Sequence, residues 1–108
     1  MINRQIKNKW LNALRSGNYN LSLTGPLMRN KKNATYNVLG VLCAITGNTS
    51  NRDMNSRFPR LNSEGDADTF MGLSPSTQES IMQYCVNTAQ SADDVIRYIS
   101  RNVKANQS

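Results

Sequence analysis

Histidine is absent from this chain of 108 residues, and with it go the imidazole general base, the Ser-His-Asp triad and most zinc sites. Cysteine is scarce too. Cys43 and Cys85 each sit among aliphatic neighbours, so both read as buried free thiols acting as small hydrophobes, while a disulfide between them stays open at the level of sequence. No window approaches the roughly 20 apolar residues needed to span a bilayer. The basic N-terminus lacks the apolar centre of a signal peptide, so the expectation is a chain that stays in the compartment where it is made, with no membrane partner. Aromatics are limited to one Trp, four Tyr and two Phe, and 38% of residues are hydrophobic, which restricts the core to a modest size. Phosphate-cradling glycine loops are also missing, because neither Gly40 nor Gly47 is followed by the Lys-Ser/Thr pair of a P-loop.

Acidic residues are outnumbered. Seven Asp and Glu face 13 Lys and Arg, leaving a formal charge of +6 that attracts polyanions and acidic protein surfaces alike. The excess is spread along the chain: Arg4, Lys7, Lys9 and Arg15 come early, Arg29, Lys31 and Lys32 in a turn-like stretch, Arg52, Arg57 and Arg60 in a polar loop, and Arg97, Arg101 and Lys104 late. A solvated surface is the plain reading of such a distribution, and a binding face the sharper one.

What the chain does contain is one short apolar run, residues 36–45, in which Val38, Leu39, Val41, Leu42 and Ile45 make it the centre of the core. Thr46 followed by Gly47 resembles a last helical turn with a left-handed glycine, so a strand or turn through Thr35 and Tyr36 is read as passing into a short buried helix. Upstream, Ile2, Ile6, Trp10 and Leu14 recur at intervals of four, predicting a helix over about 2–16 that Gly17 ends, with Trp10 as a core anchor. Tyr19, Leu21 and Leu23 then alternate with polar residues as in a half-buried strand, and Ala34-Thr35-Tyr36 is placed antiparallel to it across a basic turn, giving a small β-hairpin or ribbon.

Residues 48–71 form a long polar loop, with Phe58, Leu61, Phe70 and Met71 expected to pin it to the core. Ser74-Pro75 is a helix start, or Ser76 boxes with Glu79; Ile81, Met82, Cys85, Val86 and Ala89 follow as the inward stripe. Ser91 with Asp94 begins a last helix whose Val95, Ile96, Ile99 and Val103 face inward. The predicted class is therefore α+β, mainly α: an N-terminal helix, the β-hairpin or ribbon, a short buried central helix and a C-terminal helical hairpin. These make one small globular domain over 1–104 with a frayed tail at 105–108.

Candidates for catalysis are poor. Asp93 and Asp94 suit a helix start, Asp66 and Asp68 lie in the polar loop, and the carboxylates of 64–68 lack the ligand series of a calcium site. Neither a catalytic residue nor a cofactor nor a metal is expected.

The run from Trp10 to Tyr19 resembles the W-x-x-A-L-R-S-G-x-Y opening of a group of small proteins of tailed bacteriophages and prophages, and Val38-Leu39-Gly40-Val41-Leu42-Cys43 resembles their C-L-G-V-L-C segment with Val38 in place of the first cysteine. Leu73 to Gln78 and Ser91 to Ile99 are similar to that group's closing helices, although Asn87-Thr88-Ala89 departs from its frequent Asn-Asp pair. The resemblance implies a phage origin and the host bacterial cytoplasm as workplace, and it is nearly silent on activity. The leading expectation is a non-enzymatic accessory protein that binds and inhibits or modulates a host macromolecule, either a host protein or a protein–nucleic acid complex. Defence, transcription and replication components are the classes in view, and Arg29, Lys31, Lys32, Arg57 and Arg60 are the candidate contact residues. The alternatives are direct binding of nucleic acid, with 91–104 as a recognition helix, and a sponge for a small nucleotide signal using one of Tyr19, Tyr36, Tyr84 or Tyr98 on the base. If the basic turn is the contact, reversing the charge of Arg29, Lys31 and Lys32 together lowers capture of a partner from host lysate; unchanged capture removes that turn from the surface.

Overall fold

A computed structural model describes residues 2–23, 25, 27–29, 35–47, 58 and 69–106. In chain order the elements are β1 (Ile2–Asn3), α1 (Arg4–Ser16), β2 (Asn20–Leu21), β3 (Met28–Arg29), β4 (Thr35–Tyr36), α2 (Val38–Ile45), α3 (Pro75–Asn87), α4 (Ala92–Asn102) and β5 (Ala105–Asn106). The class is α+β and mainly α, with the expected N-terminal helix, short buried central helix and closing pair of helices.

The core centres on α2, whose residues Val38, Leu39, Gly40, Val41, Leu42 and Cys43 are all buried. Wrapping it are Trp10, Leu11 and Leu14 of α1, Ile81, Met82 and Cys85 of α3, and Val95, Ile96 and Ile99 of α4, with Ile2, Leu27, Phe70, Leu73 and Val103 closing the edges. A helix this deeply buried cannot turn its polar groups to water, so they are met internally. Asn37, fully buried, accepts from Gly40 N at 2.7 Å through Oδ1, donates from Nδ2 to Gly25 O at 3.2 Å, and donates its backbone N–H to Leu27 O. The indole of Trp10, 0% exposed, donates to Val38 O at 2.9 Å and ties α1 to the first turn of α2. At the other end Thr46 Oγ1 donates to Leu42 O and lies within reach of Cys43 O, and Gly47 takes the left-handed φ of 73° expected just past the helix.

Other helix ends follow local chemistry. Asn3 caps α1 by accepting from Gln5 N and Ile6 N, and Gly17 ends it at φ 74°. Ser74 caps α3 by accepting from Thr77 N, with Pro75 at the first helical position, so the Ser74-Pro75 start is the one used. At α4 the expected box is only half formed and shifted by one residue: Ser91 makes no side-chain cap, and Asp94 Oδ2 instead accepts from Gln90 N at 2.9 Å.

Several expectations need correction. Ile2 and Asn3 do not begin the helix. They pair in parallel with Ala105 and Asn106, so the tail expected to fray from 105 is held over its first two residues by backbone hydrogen bonding to the start of the chain. Thr35–Tyr36 does not run antiparallel to the first strand; β2 pairs with it in parallel, and its antiparallel partner is Met28–Arg29, giving the order β2-β4-β3. The hairpin is therefore β3–β4, and β2 joins from its other edge. Val86 is 43% exposed rather than inward, because α3 buries the narrower stripe of Gln78, Ile81, Met82 and Cys85. Phe58, Phe70 and Met71 do pack on the core as expected, while Leu61 lies outside the described residues. Cys43 and Cys85 are both buried and are not joined to each other as a disulfide.

Gly40 sets how closely α2 lies on the preceding chain: a Cβ at this position would fall 1.8 Å from Leu27 O. Because that neighbour is backbone and also accepts the Asn37 amide, it cannot swing aside. Gly40→Ala is expected to lower stability by about 3 kcal/mol, at or above the usual cost of overpacking, seen as a reduced urea midpoint with an unchanged slope.

Candidate binding surface

α4 is strongly two-faced. Its inner stripe packs against α1 and α3, while Asp93, Arg97, Ser100 and Arg101 point outward, with Lys104 exposed just beyond the last turn. Acidic residues at the start and Arg101 near the end complement the helix dipole. That accounts for part of the arrangement, but not for Arg97 in the middle of the helix or Lys104 past its end. Arg97 Nη2 meets Asp94 Oδ1 at 3.3 Å, an exposed pair worth little to stability. Its effect is to steady the guanidinium on the surface.

A fourth cation comes from α1. Lys7 Nζ donates to Val103 O, with Ser100 O at 3.4 Å, so an ammonium supplies hydrogen bonds to carbonyls that the end of α4 leaves without helical partners. Nothing in the sequence singles Lys7 out for this, since the contact joins residues nearly a chain length apart. The α1–α4 junction therefore fixes the cationic end of α4 in place.

Between α3 and α4 runs a surface groove of about 260 Å³ lined by Tyr84, Asp94, Arg97, Tyr98, Arg101 and Asn102. Tyr84 and Tyr98 stack across it with ring centroids 4.3 Å apart and planes inclined by 18°, both rings half-buried. Asn102 Nδ2 donates to Tyr98 O, holding the last turn of α4 together beneath the groove.

The residues expected to make the contact fall elsewhere. Arg29 lies in β3 at the hairpin edge, and Lys31, Lys32, Arg57 and Arg60 lie outside the described residues, as do Asp66 and Asp68. Among the described residues the exposed cations fall on two elements, Arg4, Lys9 and Arg15 on α1 and Arg97 and Arg101 on α4 with Lys104 just beyond it, and of these Arg97 and Arg101 line the groove.

The chain matches the family described as Domain of unknown function (DUF8296) over residues 2–95. It belongs to that family. No curated protein matches the chain, and no solved structure does. The family match takes in β1 through the first turn of α4, whereas Arg97, Arg101 and Lys104 lie beyond the matched span.

Chemically, the described surface offers charge and π-faces. Among the described residues no group of three or more His, Cys, Asp or Glu could hold a metal ion. Burial pushes the Cys85 thiol from 9.0 up to about 11, so it stays protonated near neutral pH and is no nucleophile there. The folded protein thus holds this proton more tightly than the unfolded chain, and stability contributed by Cys85 is lost as pH rises from about 9 toward about 11. Cys85→Ala is expected to remove that part of the alkaline loss, measured as the difference between the urea midpoints of the two proteins across this range. Lys7→Met, which keeps the aliphatic stem and deletes the charged donors, is expected to cost about 1–2 kcal/mol in the same assay.

Proposed function

We propose that this protein is a non-enzymatic binding protein of a phage or prophage that works in the host bacterial cytoplasm, where it inhibits or modulates a host macromolecule by placing the outer face of α4 against it. The observation that carries this reading is the exposed cationic surface of Arg97, Arg101 and Lys104, held on a helix that is locked from below by its apolar stripe and from the side by Lys7. A rigid, preorganised charged face loses little entropy on binding and steers association with an acidic or polyanionic partner. The motif run from Trp10 to Tyr19 and the segment from Val38 to Cys43 support the phage origin. Among the described residues no helix is long and apolar enough to cross a membrane, which agrees with a protein that works away from the bilayer.

Affinity capture from host lysate tests this, with retained protein and nucleic acid identified together. Arg97→Glu, Arg101→Glu and Lys104→Glu combined are expected to lower retention of the wild-type partner at least tenfold while leaving the circular dichroism spectrum unchanged, since all three side chains are exposed. Full retention by a folded triple variant would show that α4 is not the contact face.

A further inference from the structure

The groove between α3 and α4 carries a more specific reading, which rests on α4 being the binding face. We infer that it is a site for single-stranded nucleic acid, in which the Tyr84–Tyr98 stack receives a base and Arg97 and Arg101 hold the phosphates on either side of it. Four observations converge. The two tyrosines already form a stacked pair lining the groove, 4.3 Å between centroids and both partly exposed, which is the kind of aromatic surface on which a base stacks. Arg97 and Arg101 stand one helical turn apart beside Tyr98; Arg97 is 67% exposed, and among the described residues Arg101 makes neither an ion pair nor a side-chain hydrogen bond.

Charge is the third. Asp94 also lines the groove and opposes an anion, but Arg97 pairs with it, and Arg101 with Lys104 beyond it leaves the site net positive. Size is the fourth. The groove, about 260 Å³ and at the small end for pockets that engulf a ligand, lies on the surface between two helices, so it suits one base of a strand passing over it better than a free nucleotide enclosed on all sides. A duplex fits less well because its bases are stacked on one another and present no free face. An acidic peptide would satisfy the arginines but make no particular use of the tyrosine rings as a stacking face.

Anisotropy of labelled oligo-dT and oligo-rU with the full chain is the test, against a duplex of equal length and inorganic polyphosphate as competitors. The single strands are expected to bind more tightly than the duplex and to resist displacement by polyphosphate. Tyr98→Leu should weaken binding about 5- to 150-fold, the range found when a stacking aromatic is lost, while Tyr98→Phe stays near wild type. Arg97→Gln with Arg101→Gln should reduce the slope of log affinity against log salt by about 1.4, two phosphate contacts on a single strand. Should Tyr98→Leu fail to fold, photo-crosslinking of wild-type protein to an oligonucleotide carrying 5-iodouracil decides the matter, with adducts expected on Tyr84 or Tyr98. Absence of single-strand binding, a folded Tyr98→Leu with undiminished affinity, or adducts only elsewhere would each overturn the inference. If the wild type ignores oligonucleotides yet captures a host protein through Arg97, Arg101 and Lys104, this inference falls and the broader proposal stands; if the triple charge reversal also leaves capture intact, both fall.

Discussion

A helix whose first six residues, Val38 to Cys43, are all buried must find partners for their polar groups inside the protein, and α2 imposes that demand on everything around it. Its answer is made from three side chains and one absent one. Asn37 closes the N-terminal end and reaches the backbone at Gly25, Trp10 brings α1 onto Val38 O, Thr46 returns its hydroxyl to the final turn, and Gly40 lets the Leu27 backbone approach closer than any Cβ would allow. Each bond is buried or partly so, where a polar group left without a partner costs about 1–3 kcal/mol. The irregular ribbon of β2, β3 and β4 is therefore a consequence of covering α2. Strands of two residues have little stability of their own.

From that centre the placement of the outer elements follows. α1 touches α2 on one side and α4 on the other, so the indole that fixes α1 also fixes the platform on which α4 rests. Lys7 then reaches from α1 to the end of α4, and β1 clasps β5 just beyond it. The cationic face of α4 is in this way attached at its inner stripe, at its C-terminal carbonyls and through the strand that follows. Binding energy spent on such a face is not spent on ordering it. The Cys85 thiol is held protonated by the same packing that makes the core.

Much of this architecture is legible in the sequence, and the reasons differ by element. The four-residue spacing of Ile6, Trp10 and Leu14, the glycines at 17 and 47, and Ser74-Pro75 each carry a local signal that needs no tertiary contact to act, and each is realised. Strand pairing is another matter. Two-residue strands show no period, so nothing local distinguishes the parallel partner of Thr35–Tyr36 from the antiparallel one, and nothing marks Ala105 as a neighbour of Ile2. Val86 misleads because apolar residues at 81, 82, 85 and 86 describe an arc wider than α3 can bury. Of the binding surface, the basic residues of α4 are visible as a helix-end pattern. Their conjunction with Tyr84 and with Lys7 depends on how α3 and α1 pack against α4, which only the assembled core decides. Four of the five residues first expected to make the contact, Lys31, Lys32, Arg57 and Arg60, lie outside the described residues, and Arg29 sits on the hairpin edge rather than on α4.

Hydrogen exchange of the chain alone and with its bound partner tests the division between a buried centre and a binding exterior most directly. Amides at 41–46 should be among the slowest in the free protein and unchanged by binding, while those at 97–104 gain protection in the complex. Protection appearing instead at 28–36 or within α2, with 97–104 unaltered, would contradict the placement of function on α4.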